Sequence, residues 1–64
     1  LIDKNPLAQF RVGVSYEILG KREAAVAAVM RAKALGFPTK VIDADPDLVS
    51  LRRDPQYLRK PGQT

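Results

Sequence analysis

The 64-residue chain contains neither cysteine nor histidine. Without cysteine it has no disulfide to stabilise so small a domain and no thiol nucleophile. The absence of both residue types removes the usual nitrogen and sulfur ligands of zinc and the commonest general base. The four glycines are spread along the chain and form no phosphate-binding loop. We therefore expect the chain not to be an enzyme, and we expect no metal and no other cofactor.

Long apolar runs are also missing. No stretch approaches the ~20 apolar residues that a membrane-spanning helix needs, so we expect no insertion into a membrane. The sequence begins at Leu1 and lacks the basic-then-apolar layout of a signal peptide. We expect it to be a piece of a longer or processed polypeptide.

Positive charge is in modest excess, with 11 Lys and Arg against 7 Asp and Glu and a net charge of +4. The basic residues are scattered, and only two tyrosines and two phenylalanines accompany them. Proteins that bind nucleic acid usually concentrate basic residues on one face and place aromatic side chains among them for stacking. Nucleic-acid binding therefore rests on the net charge alone and is not the expected function.

Two helices are signalled by their ends. Asn5-Pro6 is typical of a helix start, because the Asn side chain accepts hydrogen bonds from free amides and Pro suits the first helical position. The first helix is predicted from Pro6 to Leu19, followed by Gly20 as a left-handed cap. The second is predicted from Arg22 to Leu35, followed by Gly36. The sequence thus predicts an all-α fold that begins with a helical hairpin.

Two Asp-Pro pairs mark the remainder of the chain. Asp45-Pro46 and Asp54-Pro55 each indicate the start of a short helix, with the aspartate as its cap. The aspartate spacing resembles a calcium-binding loop, but Leu48 stands where that loop needs glycine, so capping is the better interpretation. The predicted organisation is a linker at 1–5, a hairpin at 6–38, one or two capping helices at 39–58 and a disordered tail at 59–64.

The first helix carries two apolar stripes at helical spacing. The first stripe, with small residues of the second helix, is expected to hold the two helices together. A second stripe indicates that the helix is covered on both sides. The first stripe contains Ala8, Val12, Tyr16 and Leu19, with Gly13 at its edge, and the second contains Leu7, Phe10, Val14 and Ile18.

The hairpin resembles one tetratricopeptide repeat, a helix–turn–helix unit of ~34 residues. The resemblance rests on Gly13-x-x-Tyr16-x-x-x-Gly20-x-x-x-x-Ala25-x-x-x-Val29-x-x-Ala32. Gln9 and Arg22 stand where the family favours aromatic residues. The segment from Gly36 to Tyr57, with its two Asp-Pro pairs, resembles the stretch that often closes such arrays in bacterial proteins.

The resemblance implies partner binding, in a groove lined by the first helix. In this chain the second stripe of the first helix, together with the neighbouring charges of Arg11 and Glu17, occupies the positions whose counterparts line that groove. Family members that grip a C-terminal carboxylate use an Asn where this chain has Val14, so an apolar peptide, a partner helix or a second copy of the chain fits better. The predicted partner-binding residues are Leu7, Phe10, Arg11, Val14, Glu17 and Ile18.

Three hypotheses remain open from the sequence. The first is an interaction module with a reversible protein or peptide partner, or a homodimer formed through the first helix. The second is a structural piece whose stripe is covered permanently by a preceding repeat or another part of a larger assembly. The third is a basic helical domain that binds nucleic acid.

Overall fold

The structure, a computed structural model, describes residues 4–58. These residues form five α-helices and one 3-10 turn, and they contain no strand, so the predicted all-α fold is confirmed. The predicted disordered tail at 59–64 and the first three residues of the predicted linker lie outside the described residues. The elements are α1 Pro6–Ile18, α2 Arg22–Ala34, α3 Thr39–Ala44, the 3-10 turn Pro46–Leu48, α4 Val49–Arg52 and α5 Pro55–Leu58.

The ends of α1 and α2 follow the local signals in the sequence. Asn5 Oδ1 accepts hydrogen bonds from the amides of Leu7 at 2.9 Å and Ala8 at 3.4 Å. Gly20 and Gly36 have φ angles of +78° and +97°, which residues other than glycine rarely adopt. Each helix ends one residue before the predicted position, and the next residue, a leucine in both cases, is its C-cap.

The two long helices approach each other closely at Gly13. A Cβ atom added there would lie 2.6 Å from Val29 Cγ2 and 3.3 Å from the carbonyl oxygen of Ala25. The facing side of α2 carries small residues, and Ala25, Ala28 and Ala32 are fully buried. Small side chains on both helices therefore permit the tight hairpin that the sequence predicts.

The segment after the hairpin completes the core. Ile42 of α3, Leu48 of the 3-10 turn and Leu51 of α4 are fully buried in one apolar cluster with residues of α1 and α2. Phe37 stacks on Phe10 of α1, with ring centroids 4.5 Å apart and an interplanar angle of 15°. The predicted capping segment thus supplies much of the core, and it contains a helix, α3, that was not predicted.

The packing prediction for α1 was wrong in part. The expected stripe places Val12 and Leu19 against α2, but Val12 is exposed and Leu19 is 68% exposed. Gln9 and Gly13 are buried in their place. The physical reason is the contact at Gly13: once this side of α1 lies on α2, the helical period turns Val12 and Leu19 outward and Phe10 inward. Within residues 4–58, the outward side of α1 keeps the side chains of Leu7, Val12, Ile18 and Leu19 exposed.

Candidate functional site

The side of α1 opposite Gly13 faces away from the core, and we call it the outer face. Five of its seven residues are apolar, and the other two are an arginine and a serine. Helical geometry places these positions side by side, because residues three or four apart lie on the same side of a helix. The outer face consists of Leu7, Ala8, Arg11, Val12, Ser15, Ile18 and Leu19.

Large apolar side chains of the outer face are open to solvent. Leu7 is 46% exposed and Ile18 is 68% exposed, whereas Phe10, on the core side of the same helix, is only 8% exposed. A helix that is apolar on all sides is normally buried on all sides. Since α1 is buried on one side only, its outer face is a candidate interaction surface.

The structure divides the six predicted site residues. Leu7, Arg11 and Ile18 lie on the outer face. Val14 is half-buried and packs against the core. Phe10 is part of the core and stacks on another side chain of the same chain. Glu17 forms an ion pair within the chain, so the structure brings only half of the predicted set to the open surface.

Glu17 belongs to a bridge that joins three elements. Arg22, at the start of α2, donates hydrogen bonds from Nε and Nη2 to the two Glu17 carboxylate oxygens, both at 2.8 Å. Its Nη1 donates to Asp54 Oδ2 just before α5, also at 2.8 Å. The bonds to Glu17 and then to Asp54 raise the pKa of the Arg22 guanidinium. Glu17 is thus engaged in holding the fold, and Arg22 has a polar role where the resembled family favours an aromatic.

Arg11 contrasts with Arg22 because its guanidinium has no ion-pair partner among residues 4–58. Both ion pairs in this part of the chain belong to Arg22. Arg11 is exposed near the middle of α1, between the turns that carry Leu7 and Val14. The outer face therefore combines an apolar surface with a single free positive charge.

Val12 and Leu19 are surface residues that the sequence prediction assigned to the helix interface. The sequence feature that could have identified them as surface residues is the repeated spacing of four, three and four residues along α1. One series with this spacing is Leu7, Arg11, Val14 and Ile18, and the adjacent series is Ala8, Val12, Ser15 and Leu19. Both series suit the surface of a helix that packs lengthwise on another helix.

Comparisons with known proteins do not place the chain in a family. No family model, no curated protein and no solved structure matches it. The resemblance to a tetratricopeptide repeat therefore stays a prediction. Within residues 4–58, no helix has the length and apolar character required to cross a membrane.

Proposed function

We propose that this chain is a protein-interaction module that holds a partner on the outer face of α1 and performs no chemistry of its own. The observation that carries the proposal is that α1 exposes the large apolar side chains of Leu7, Ile18 and Leu19 on the side that the core does not use. Burying a large apolar side chain contributes about 1.5–3 kcal/mol. Covering Leu7, Ile18 and Leu19 with a partner would therefore supply substantial binding free energy.

The scaffold in this proposal is a hairpin of the tetratricopeptide type. The close approach at Gly13 and the left-handed glycines after both helices support this interpretation. The binding residues differ from the set predicted from sequence. Because Phe10 and Glu17 hold the fold, we assign contact with the partner to the outer face, with Val14 at its edge.

The proposal is tested with a matched pair of surface variants. Ile18→Gln removes an apolar side chain from the outer face, and Leu58→Gln removes one of similar exposure, 62%, from α5. Neither side chain is in the core, so both variants should keep the wild-type circular dichroism spectrum and melting temperature. Tagged wild-type chain and both variants are then used to capture proteins from extracts of the cells that naturally produce the chain.

The expected result is a protein that is captured by wild type and by Leu58→Gln but is lost with Ile18→Gln. The reason is that only Ile18 lies on the outer face. The same set of captured proteins for all three chains, or no captured protein with wild type, would overturn the proposal.

A further inference from the structure

The length of the outer face and the spacing of its residues suit the binding of a second helix along α1. From Leu7 to Leu19 it runs about 18 Å along α1, at 1.5 Å per residue, which matches three to four turns of a second helix. The two series with four-three-four spacing lie side by side along this length. Such spacing lets the side chains of a second helix, lying along α1, insert between the residues of the two series.

The charge of the surface indicates the charge of the partner. Arg11 is the charged residue of the outer face, and among residues 4–58 it has no ion-pair partner. The other charged residue of α1, Glu17, has both carboxylate oxygens bonded to Arg22. Lys4, just before α1, adds a second exposed positive charge at the helix start. A partner with a basic residue opposite Arg11 would meet repulsion with no carboxylate on the outer face to offset it.

From this combination we infer that the outer face binds an acidic amphipathic helix lying lengthwise on α1, with an apolar seam on Leu7, Ile18 and Leu19 and a carboxylate opposite Arg11. This inference rests on the proposed function and names the partner of the same surface. The carboxylate fixes the register of the pair, because the alignment that places it opposite the one charged residue of the outer face is favoured over the others.

A second copy of the chain fits this surface less well. In an antiparallel pair centred between positions 12 and 13, Leu7 of each copy would meet Ile18 of the other. The same symmetry would bring the two Arg11 side chains to within about 4.5 Å of each other along the helix axis. Neither α1 has a free carboxylate to separate these two positive charges.

An anionic lipid surface is also disfavoured by the charge pattern. Helices that lie on such surfaces usually carry several Lys and Arg on the polar face, because each contributes only modestly to binding. The outer face offers Arg11, with Lys4 at its end. A protein helix needs only one carboxylate in the correct place, so it matches the observed charges better.

The test uses two synthetic helical peptides that differ only in charge. Both are two heptads long with leucine at the apolar seam, and one has glutamate beside the seam where the other has lysine. Fluorescence anisotropy at low salt should show tighter binding of the glutamate peptide by about fivefold, the scale of one exposed ion pair. Arg11→Glu should reverse the preference, and Ile18→Gln should weaken binding of both peptides.

Lys40→Glu is the matched control, since it makes the same charge change at an exposed position on α3. It should leave the preference for the glutamate peptide intact. Equal binding of the two peptides, or no binding of either, would overturn the acidic-helix inference. Neither result would overturn the proposed function, because that proposal is tested separately by the capture experiment. It fails if Ile18→Gln captures the same proteins as wild type.

Two further results would also overturn the inference. One is a dimer in sedimentation velocity that Ile18→Gln abolishes, because the occupant would then be a second copy. The other is sedimentation of the chain with phosphatidylserine vesicles that Arg11→Glu abolishes, because the surface would then bind lipid.

Discussion

At the scale of single residues, Gly13 sets how closely α1 and α2 pack. Alanine in place of glycine would normally stabilise a helix by about 1 kcal/mol. Here the added Cβ atom would lie 2.6 Å from Val29 Cγ2, and overpacking a core costs about 1–3 kcal/mol. We expect Gly13→Ala to lower the free energy of unfolding by about 1 kcal/mol, measured by urea denaturation.

Two companion variants make this prediction specific. Ser15→Ala, on the outer face, should leave stability unchanged or slightly raised, because no atom of the core meets it. Val29→Ala removes the side-chain atom that the new Cβ would meet, so Gly13→Ala should cost less in that background than in wild type. A stability gain for Gly13→Ala in wild type would contradict the close packing at this position.

At the scale of elements, Arg52 of α4 fixes the end of α3. Its Nη1 donates hydrogen bonds to the carbonyl oxygens of Ile42 at 2.9 Å and Asp45 at 2.7 Å. Arg52→Met keeps most of the aliphatic stem but removes both hydrogen bonds from the charged guanidinium, while each carbonyl keeps one backbone N–H donor. Because hydrogen bonds from a charged donor are the stronger ones, we expect a loss of about 1–3 kcal/mol in the free energy of unfolding. Arg53→Met changes the exposed neighbour and should stay within about 0.5 kcal/mol of wild type. Equal effects of the two variants would contradict this role for Arg52.

The attachment of α5 should depend on pH through Asp54. Hydrogen bonds from the Gln56 amide and from Arg22 lower the pKa of the Asp54 carboxyl. Because the folded-state pKa lies below the unfolded value of about 3.9, ionised Asp54 stabilises the fold above that pH. The contribution is lost as the pH falls through the folded-state pKa.

We therefore expect Asp54→Asn to melt at a lower temperature than wild type near neutral pH, with the difference shrinking towards about pH 2. Melting curves across this range provide the measurement. Asp43→Asn, at an exposed position of α3, serves as the control and should melt like wild type near neutral pH. A difference for Asp54→Asn that is the same at both ends of the pH range would contradict the role of the ionised carboxylate.

The starts and ends of the helices could be predicted from sequence because local residues determine them. Asn5 caps α1, and Gly20 and Gly36 follow the two long helices, as expected. The helix α3 could not be predicted in the same way, since its six residues bury one side chain, Ile42, in contacts with distant parts of the chain. The Phe37 stack on α1 likewise depends on residues far apart in sequence.

The candidate site could be predicted only in part. Because α1 carries apolar residues on all sides, its sequence does not determine which side faces the core. The structure resolves this at Gly13 of α1, which packs against Ala25 and Val29 of α2. This contact turns Leu19 outward and Phe10 inward. Leu7 and Ile18 remain surface residues, as the predicted groove required.

At the scale of the whole molecule, the described residues build one small core and leave large apolar side chains of α1 exposed on the opposite side. Phe10 and the fully buried Ile42, Leu48 and Leu51 are used by the fold. The outer face is not used by the described part of the chain. The molecule therefore combines a scaffold with a surface that we propose is reserved for a partner.

The most direct measurement of this claim is photo-cross-linking in the cells that naturally produce the chain. A benzophenone amino acid is placed in turn at Ser15 and Ile18 on the outer face, and at Asp43 and Ser50, which are exposed elsewhere. If the outer face holds a partner, positions 15 and 18 should cross-link to another polypeptide, whereas positions 43 and 50 should not. Cross-links of equal yield from all four positions, or none from positions 15 and 18, would contradict it.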